Sequence, residues 1–253
     1  MHASDVFSVA GRVSIVTGAS VGLGERFARV LAENGARVLA VARRIDPLHD
    51  LAARYPNVVA HQADLTDEIQ RASIIDATLE RFGRVDVLVN NAGYGVPQAA
   101  IDEPMDDFRR VFELNLMALF DLSRLAAKPM IEQSSGSIIN VASILGLVSA
   151  SPIPNASYAA SKGAVVHLTR ELGCQWARTG VRVNAIAPGY FPSESAGSLE
   201  PGTTFADFIH RTTPMGRPGK EHELDGVLLY LCSDASTYTT GQTMVVDGGW
   251  TAK

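Results

Sequence analysis

Val13-Ser-Ile-Val16 running into Thr17-Gly-Ala-Ser-Val-Gly-Leu-Gly24 is the stretch that decides the fold. The first four residues read as a buried strand. Residues 22–34 read as a helix, which Gly35 ends well because glycine tolerates the left-handed cap. Between them, Gly18, Gly22 and Gly24 form a strand-to-helix turn, with Ser20 and Leu23 in the same loop. Glycine lets the backbone bend sharply and come close to a ligand. The amides of the helix's first turn then face an anion, which suits the pyrophosphate of a dinucleotide. Glycines alone would be a tight turn with no ligand. The strand before and the helix after are the context that favours a nucleotide.

Outward from this turn the chain keeps alternating. Short β-branched runs at 37–42, 57–62, 85–89, 137–141, 181–187 and 243–246 read as strands. Helical stretches at 67–82, 156–178 and 221–232 separate them. Asp46-Pro47 opens another helix as cap and first-turn proline, and Glu103-Pro104 opens a long one that Pro129 ends or kinks. This alternation implies an α/β fold: a doubly wound parallel β-sheet (Rossmann fold), three-layer αβα, in a single domain over 1–253. Ligands of such sheets bind beyond the carboxyl ends of the strands. Asn90-Asn91, Ser143 and Pro188-Gly189 each follow a strand, so they should converge on one edge.

Chemistry enters with Tyr158 and Lys162, four residues apart, and Ser143, fifteen before the tyrosine. Four residues is one helix face, so phenol and ammonium can share a cleft. An ammonium there favours the phenolate and lowers the tyrosine's pKa, and such a phenol exchanges protons with an alcohol oxygen near neutral pH. Alone, the pair would be an ordinary helix face. After the second strand stand Arg43 and Arg44 in place of the acidic residue that would hold a ribose 2′-hydroxyl. Guanidinium forks suit a 2′-phosphate, so NADP(H) is expected, anchored by Arg43 with help from Arg44, and NAD(H) is the alternative if both are surface residues. Asp64 with Leu65 either meets the adenine or caps the next helix.

Composition narrows the classes. The chain has 253 residues, 46% hydrophobic and 19% charged, with net charge −5 and no basic tract. Nucleic acid and membrane are therefore not expected partners, and no apolar run approaches bilayer length. Residues 1–12 lack a signal-peptide pattern. Two distant cysteines suit a reducing cytoplasm, and neither they nor the six histidines show metal spacing, so no metal is expected.

Thr17-Gly-x-x-x-Gly-x-Gly24, Asp64, Asn90-Asn-Ala-Gly93, Asn115, Ser143, Tyr158-x-x-x-Lys162, Pro188-Gly189 and Asp247-Gly-Gly249 stand in one order over nearly the whole chain. In this the chain resembles the single-domain short-chain dehydrogenase/reductases. The resemblance implies hydride transfer between a nicotinamide and a carbonyl or secondary alcohol. It makes Tyr158 the general acid/base, and Lys162 the group that lowers its pKa and holds the nicotinamide ribose. Ser143 would bond the substrate oxygen, and Asn115 would hold a water leading to Lys162. Asn91, Ala92 and Gly93 would support the adenosine ribose. Pro188, Gly189 and Phe191 would shape the nicotinamide pocket, with Ser193 where the family often has threonine. Two departures stand out: Val21 replaces the basic residue common in NADP-binding members, and the Ser143–Tyr158 interval, with Pro152 and Pro154, is longer than usual.

Tyr94, Leu145, Ser149 and Tyr190 are the expected substrate lining, under a lid at about 190–214, and suit a moderately apolar ketone or alcohol. His210 and Arg211 would meet an anionic substrate or face solvent. The family's habit implies a homotetramer through two long helices and the C-terminal segment; Val165, Val166, Leu168, Trp176 and Trp250 serve that interface or the core. Alternatives are a 3-oxoacyl-thioester (acyl-carrier-protein) reductase, which needs Arg109, Arg110, Arg124 and Lys128 as a basic surface, an NAD-dependent sugar/polyol dehydrogenase, and a non-catalytic redox sensor. A sensor has no need of the set Asn115, Ser143, Tyr158 and Lys162.

Overall fold

β1 (Val13–Thr17) is buried along its whole length, as a strand covered on both faces must be. In the computed structural model, which describes residues 2–149, 151, 153–192 and 203–253, it is an interior strand, third from one edge of a seven-stranded sheet. The order is β3-β2-β1-β4-β5-β6-β7 and every pairing is parallel. The other strands are β2 (Arg37–Ala42), β3 (Val58–Gln62), β4 (Val87–Asn90), β5 (Gly136–Val141), β6 (Val181–Pro188) and β7 (Thr243–Val246). The direction of winding reverses between β1 and β4, where Ile15 pairs with Leu88.

Helices cover both faces. After a four-residue α1 (Ala3–Val6), α2 (Gly22–Glu33), α3 (Asp46–Arg54) and α9 (Asp225–Cys232) bury Phe27, Leu31, Leu48, Leu51, Leu228 and Leu231 on one side. On the other, α4 (Glu68–Phe82), α6 (Leu119–Glu132) and α7 (Ala156–Trp176) bury Ile74, Leu122, Met130 and Leu172. The three expected layers are thus present. α5 (Met105–Phe112) precedes α6, and α8 (Thr204–Thr212) lies in the 190–214 stretch, where no helix was expected.

One reading is corrected and one open alternative is decided. Pro129 neither ends nor breaks its helix but lies inside α6. It sits in the last turn, where one amide bond is lost, and burial of Ala126, Ala127 and Met130 around it outweighs that loss. The long helical stretch is instead divided by a π turn at Glu113–Ala118. Val165 and Val166 are core residues, exposed by 0% and 4%. Leu168 packs against the same cluster, and Trp176 packs against the cluster around Leu122 and Leu172.

Candidate active site

The loops after β1 to β6 open into one cavity of about 1020 Å³ across the β1/β4 switch point. Its two ends differ in how they are built.

At the nucleotide end, Gly18 and Gly22 have φ of +67° and +60°, which glycine adopts without strain. A Cβ on Gly18 would come within 2.8 Å of Asn91 Nδ2 and 3.0 Å of Ala92 Cα. A Cβ on Gly24 would overlap the Gly18 carbonyl and the Asn91 amide, so Gly24 is a packing residue beneath the turn; it is not on the cavity wall. Val21 at the N-cap of α2 supplies no side-chain cap, which leaves the first-turn amides facing the cavity that Ser20, Gly22 and Leu23 line. That is a cradle for a phosphate. Arg43 and Arg44 stand on the same wall, and Arg44 Nη2 donates to Ser20 Oγ at 3.5 Å. The donor set fits a phosphorylated dinucleotide: backbone amides for one anion, guanidinium groups for a second.

Asp64 and Leu65 follow β3 on this wall. Asp67, not Asp64, caps α4, accepting from the amides of Ile69 and Gln70. Asp64 accepts from the Thr66 amide (2.9 Å) and hydroxyl (2.8 Å), which holds its carboxyl below the usual range. Capping is thereby removed as its role. Leu65 is fixed by a residue that the sequence reading missed. Buried Arg71 donates to the Leu65 carbonyl at 2.6 Å and to Asp121 at 2.7 Å. Their separation of fifty residues hides this pair from any local pattern. Asn91 ties β4 to β1, donating to the Thr17 carbonyl at 3.0 Å, and lines the cavity with Ala92 and Gly93.

At the other end, Ser143 caps a short 3₁₀ turn, its Oγ accepting from the Leu145 amide at 3.1 Å. Tyr158 and Lys162 project from the first turns of α7 into the same cavity. The expectation that Lys162 lowers the Tyr158 pKa is corrected. Burial pushes the phenol above its ordinary value, and a hydrogen bond with Ser143 opposes the rise. Lys162 Nζ donates to the Val141 carbonyl at 2.7 Å and lies 5.6 Å from the Tyr158 ring centroid, over the ring. Burial pushes its own pKa down to about 8.

Asn115 is fully buried in the π turn. Its amide donates to the Tyr94 carbonyl (2.9 Å) and Ser161 Oγ (3.0 Å), and its Oδ1 accepts from the Tyr94 amide (3.0 Å). Protein groups thus satisfy the donors and the acceptor of its side chain. Ser161 Oγ in turn donates to the Tyr158 carbonyl at 2.8 Å, so Asn115 braces the turn carrying the phenol. A Cβ on Gly95 would fall 2.7 Å from the Tyr158 ring, a constraint that the sequence reading did not draw.

Pro188, Gly189 and Phe191 line the cavity, as do Tyr94, Leu145 and Tyr190. Gly189 packs so closely on Asp247 that a Cβ would lie 2.7 Å from its Cα. Asp247 accepts from the amides of Gly249 and Thr251, both at 2.8 Å, which is the work of the Asp247-Gly-Gly249 motif. Ser149 is corrected: it is exposed, accepts from the Ser151 amide and does not line the cavity. Ser193 lies outside the described residues. His210 and Arg211 are exposed, with His210 Nδ1 2.6 Å from the Gly216 carbonyl. Trp250 packs against Tyr190, ring centroids 5.0 Å apart. The cavity wall also holds Val21, Arg110, Glu113 and Leu114. The last three precede Asn115 by five, two and one positions, and tracing that helix upward from Asn115 would have found them. Arg109, Arg110 and Arg124 are ion-paired with Asp106, Asp107 and Asp121, which offsets three of the four cations expected to meet an acidic carrier protein; the fourth, Lys128, is exposed.

The family model described as enoyl-(acyl carrier protein) reductase matches residues 18–251. The chain is 35% identical to 2-dehydro-3-deoxy-D-gluconate 5-dehydrogenase of Dickeya dadantii, covering 98% of this chain and 99% of that protein. It is 36% identical to galactitol 2-dehydrogenase (L-tagatose-forming) of Cereibacter sphaeroides, covering 97% of each. The crystal structure of a gluconate 5-dehydrogenase from Burkholderia cenocepacia J2315, in complex with NADP and tartrate, is similar at a TM-score of 0.94 and 36% identity over 100% of both chains.

Proposed function

The chain belongs to the short-chain dehydrogenase/reductase family, and on that premise we propose that it is an NADP(H)-dependent oxidoreductase interconverting a secondary alcohol and a carbonyl beside Tyr158. One observation carries this reading: a single cavity has a phosphate cradle with two arginines at one end and Ser143, Tyr158 and Lys162 at the other. The bound NADP of the Burkholderia relative supports the cofactor.

Gly18, Ser20, Gly22 and Leu23 hold the pyrophosphate with the first amides of α2. Arg43 and Arg44 take the 2′-phosphate, and Asp64 and Leu65 the adenine. Asn91, Ala92 and Gly93 support the ribose, and Pro188, Gly189, Phe191 and Lys162 the nicotinamide half. NADP(H), when bound, supplies or accepts the hydride. Tyr158 Oη gives a proton to the substrate oxygen during reduction and takes it back during oxidation. Ser143 Oγ donates a hydrogen bond to that oxygen and steadies its developing charge. Lys162, bonded to the Val141 carbonyl beside the Tyr158 ring, holds the nicotinamide ribose. Asn115 positions the Tyr158 turn through Ser161.

We also propose that Tyr190 and α8 cover the substrate, with Phe205 and Phe208 packed on Tyr190; residues 193–202 of the expected lid lie outside the described residues. Exposed Met117 and Phe120 support a homotetramer through the α5–α6 and α7 faces. Light scattering decides that point, a monomer mass refuting it. Among the described residues no helix is long and apolar enough to cross a membrane. Two unpaired cysteines, one exposed, fit the cytoplasm.

The reading is tested by supplying ketones and alcohols with NADPH, NADH or their oxidised forms and following nicotinamide absorbance. Ketone-dependent oxidation of NADPH in preference to NADH is expected. Binding of neither nucleotide would refute it.

A further inference from the structure

Arg71 stands off the cavity wall yet reaches two residues that are on it. It ends the first turn of α4 and is exposed by 3%. Its guanidinium joins three elements. Nη1 donates to the Leu65 carbonyl at 2.6 Å, and Nε donates to Asp121 of α6 at 2.7 Å. Nη1 also lies 3.9 Å from Glu113 of the π turn. Leu65 and Glu113 line the cavity. The neighbouring side chain works on the same loop, Gln70 Oε1 accepting from the Asp64 amide at 2.8 Å. Consecutive residues of α4 thus hold the Asp64 amide and the Leu65 carbonyl, while the Thr66 amide and hydroxyl hold the Asp64 carboxylate.

Stability alone does not account for this arrangement. A guanidinium taken out of water loses its hydration, and a buried carboxylate partner does little more than offset that loss. Apolar side chains of similar volume often serve the core as well. What an apolar side chain cannot do is donate to a backbone carbonyl. Leu65 is exposed by 8%. Its carbonyl, left without a donor, would carry a desolvation penalty that the loop relieves by turning toward water. That turn would take Leu65 and Asp64 from their places on the wall. A wall fixed in advance loses less freedom when a ligand binds, and so holds it more tightly.

Resting on the proposed NADP(H) reading, in which Asp64 and Leu65 take the adenine, we infer that Arg71 is a positioning residue for the nucleotide. It fixes the adenine wall through the Leu65 carbonyl. Its removal therefore weakens the hold on the adenine half and leaves the hydride and proton steps unchanged.

The test compares Arg71→Met and Asp121→Asn with the parent enzyme. Both abolish the ion pair, but only the first takes the donor from Leu65. Arg71→Met should raise KM for NADPH about tenfold with kcat within about twofold, the signature of lost binding without lost chemistry. The affinity for 2′,5′-ADP, which carries adenine and the 2′-phosphate without nicotinamide, should fall by the same factor. Reduced nicotinamide mononucleotide has no adenine, and its kcat/KM should stay within about twofold. Asp121→Asn should leave KM for NADPH within about twofold, even where it lowers Tm. Where Arg71→Met alone does not fold, Arg71→Met joined with Asp121→Leu replaces the ion pair by apolar side chains and answers the same question. Unchanged KM for NADPH and unchanged 2′,5′-ADP affinity on loss of Arg71 would overturn the inference and leave the hydride-transfer reading intact. Equal rises in KM for Arg71→Met and Asp121→Asn would also overturn it, since the ion pair and not the Leu65 bond would then be the cause. A parent enzyme that binds neither NADPH nor 2′,5′-ADP would bring down the proposed function and the inference with it.

Discussion

The two ends of the cleft are specified by different means. The nucleotide end is built chiefly on backbone, three glycines and the open amides of α2, with Asn91 bonded to the Thr17 carbonyl and Arg43 and Arg44 beside it. The catalytic and substrate end is made of side chains from β4, β5, β6 and α7 that meet only once the sheet has formed. Backbone sites tolerate few residues and leave short, ordered motifs. Side-chain sites change with each wall residue, so reaction class and substrate are written in different places.

The largest expected effect breaks the nucleotide end alone. Gly24→Ala sets a methyl group against the Gly18 carbonyl, which cannot yield. We expect a loss of about 3 kcal/mol in stability by urea unfolding, with NADPH binding abolished. Retention of NADPH affinity would mean that the turn is not the cradle. Next, Arg43→Ala should weaken NADPH by about 10- to 100-fold, the worth of a charge-assisted hydrogen bond, and leave NADH within about twofold. Equal losses for both nucleotides would remove Arg43 from the 2′-phosphate.

A smaller effect links the ends through pH. Lys162, with its pKa at about 8, is charged below that pH and neutral above it. Affinity for the anionic nucleotide should therefore fall as pH rises through about 8, by a few fold, and Lys162→Met should flatten that step. Stability runs the other way. The unfolded lysine keeps its proton to about pH 10.4, so the folded protein gains stability between about 8 and 10.4. An affinity profile that is flat through pH 8 would place Lys162 away from the nucleotide. The smallest effect lies outside both ends. Ser134 follows α6 with φ of +52°, and Ser134→Gly should raise Tm by about 1–2 °C, roughly 0.5 kcal/mol, with activity unchanged.

What could be read beforehand follows the same division. Strands such as Arg37–Ala42 and Gly136–Val141 were legible because a strand buried on both faces is a continuous β-branched or apolar run. The glycine turn was legible because few residues adopt its backbone. Pro129 was misread since its tolerance depends on the burial of Met130, which only packing reveals. The bonds of Asn115 to Tyr94 and Ser161, and of Arg71 to Asp121, join residues 21 to 50 apart and leave no local trace. Ser149 was placed in the lining by proximity in sequence, and the chain turns it outward to Ser151.

Tyr158→Phe separates the two ends most directly, since it removes one oxygen from the catalytic end and leaves the phosphate cradle untouched. NADPH affinity should stay within about threefold by nicotinamide fluorescence while ketone reduction falls by about 100- to 10,000-fold, the range for a lost general acid. Turnover within about tenfold of the parent would contradict the proposed proton path through Tyr158.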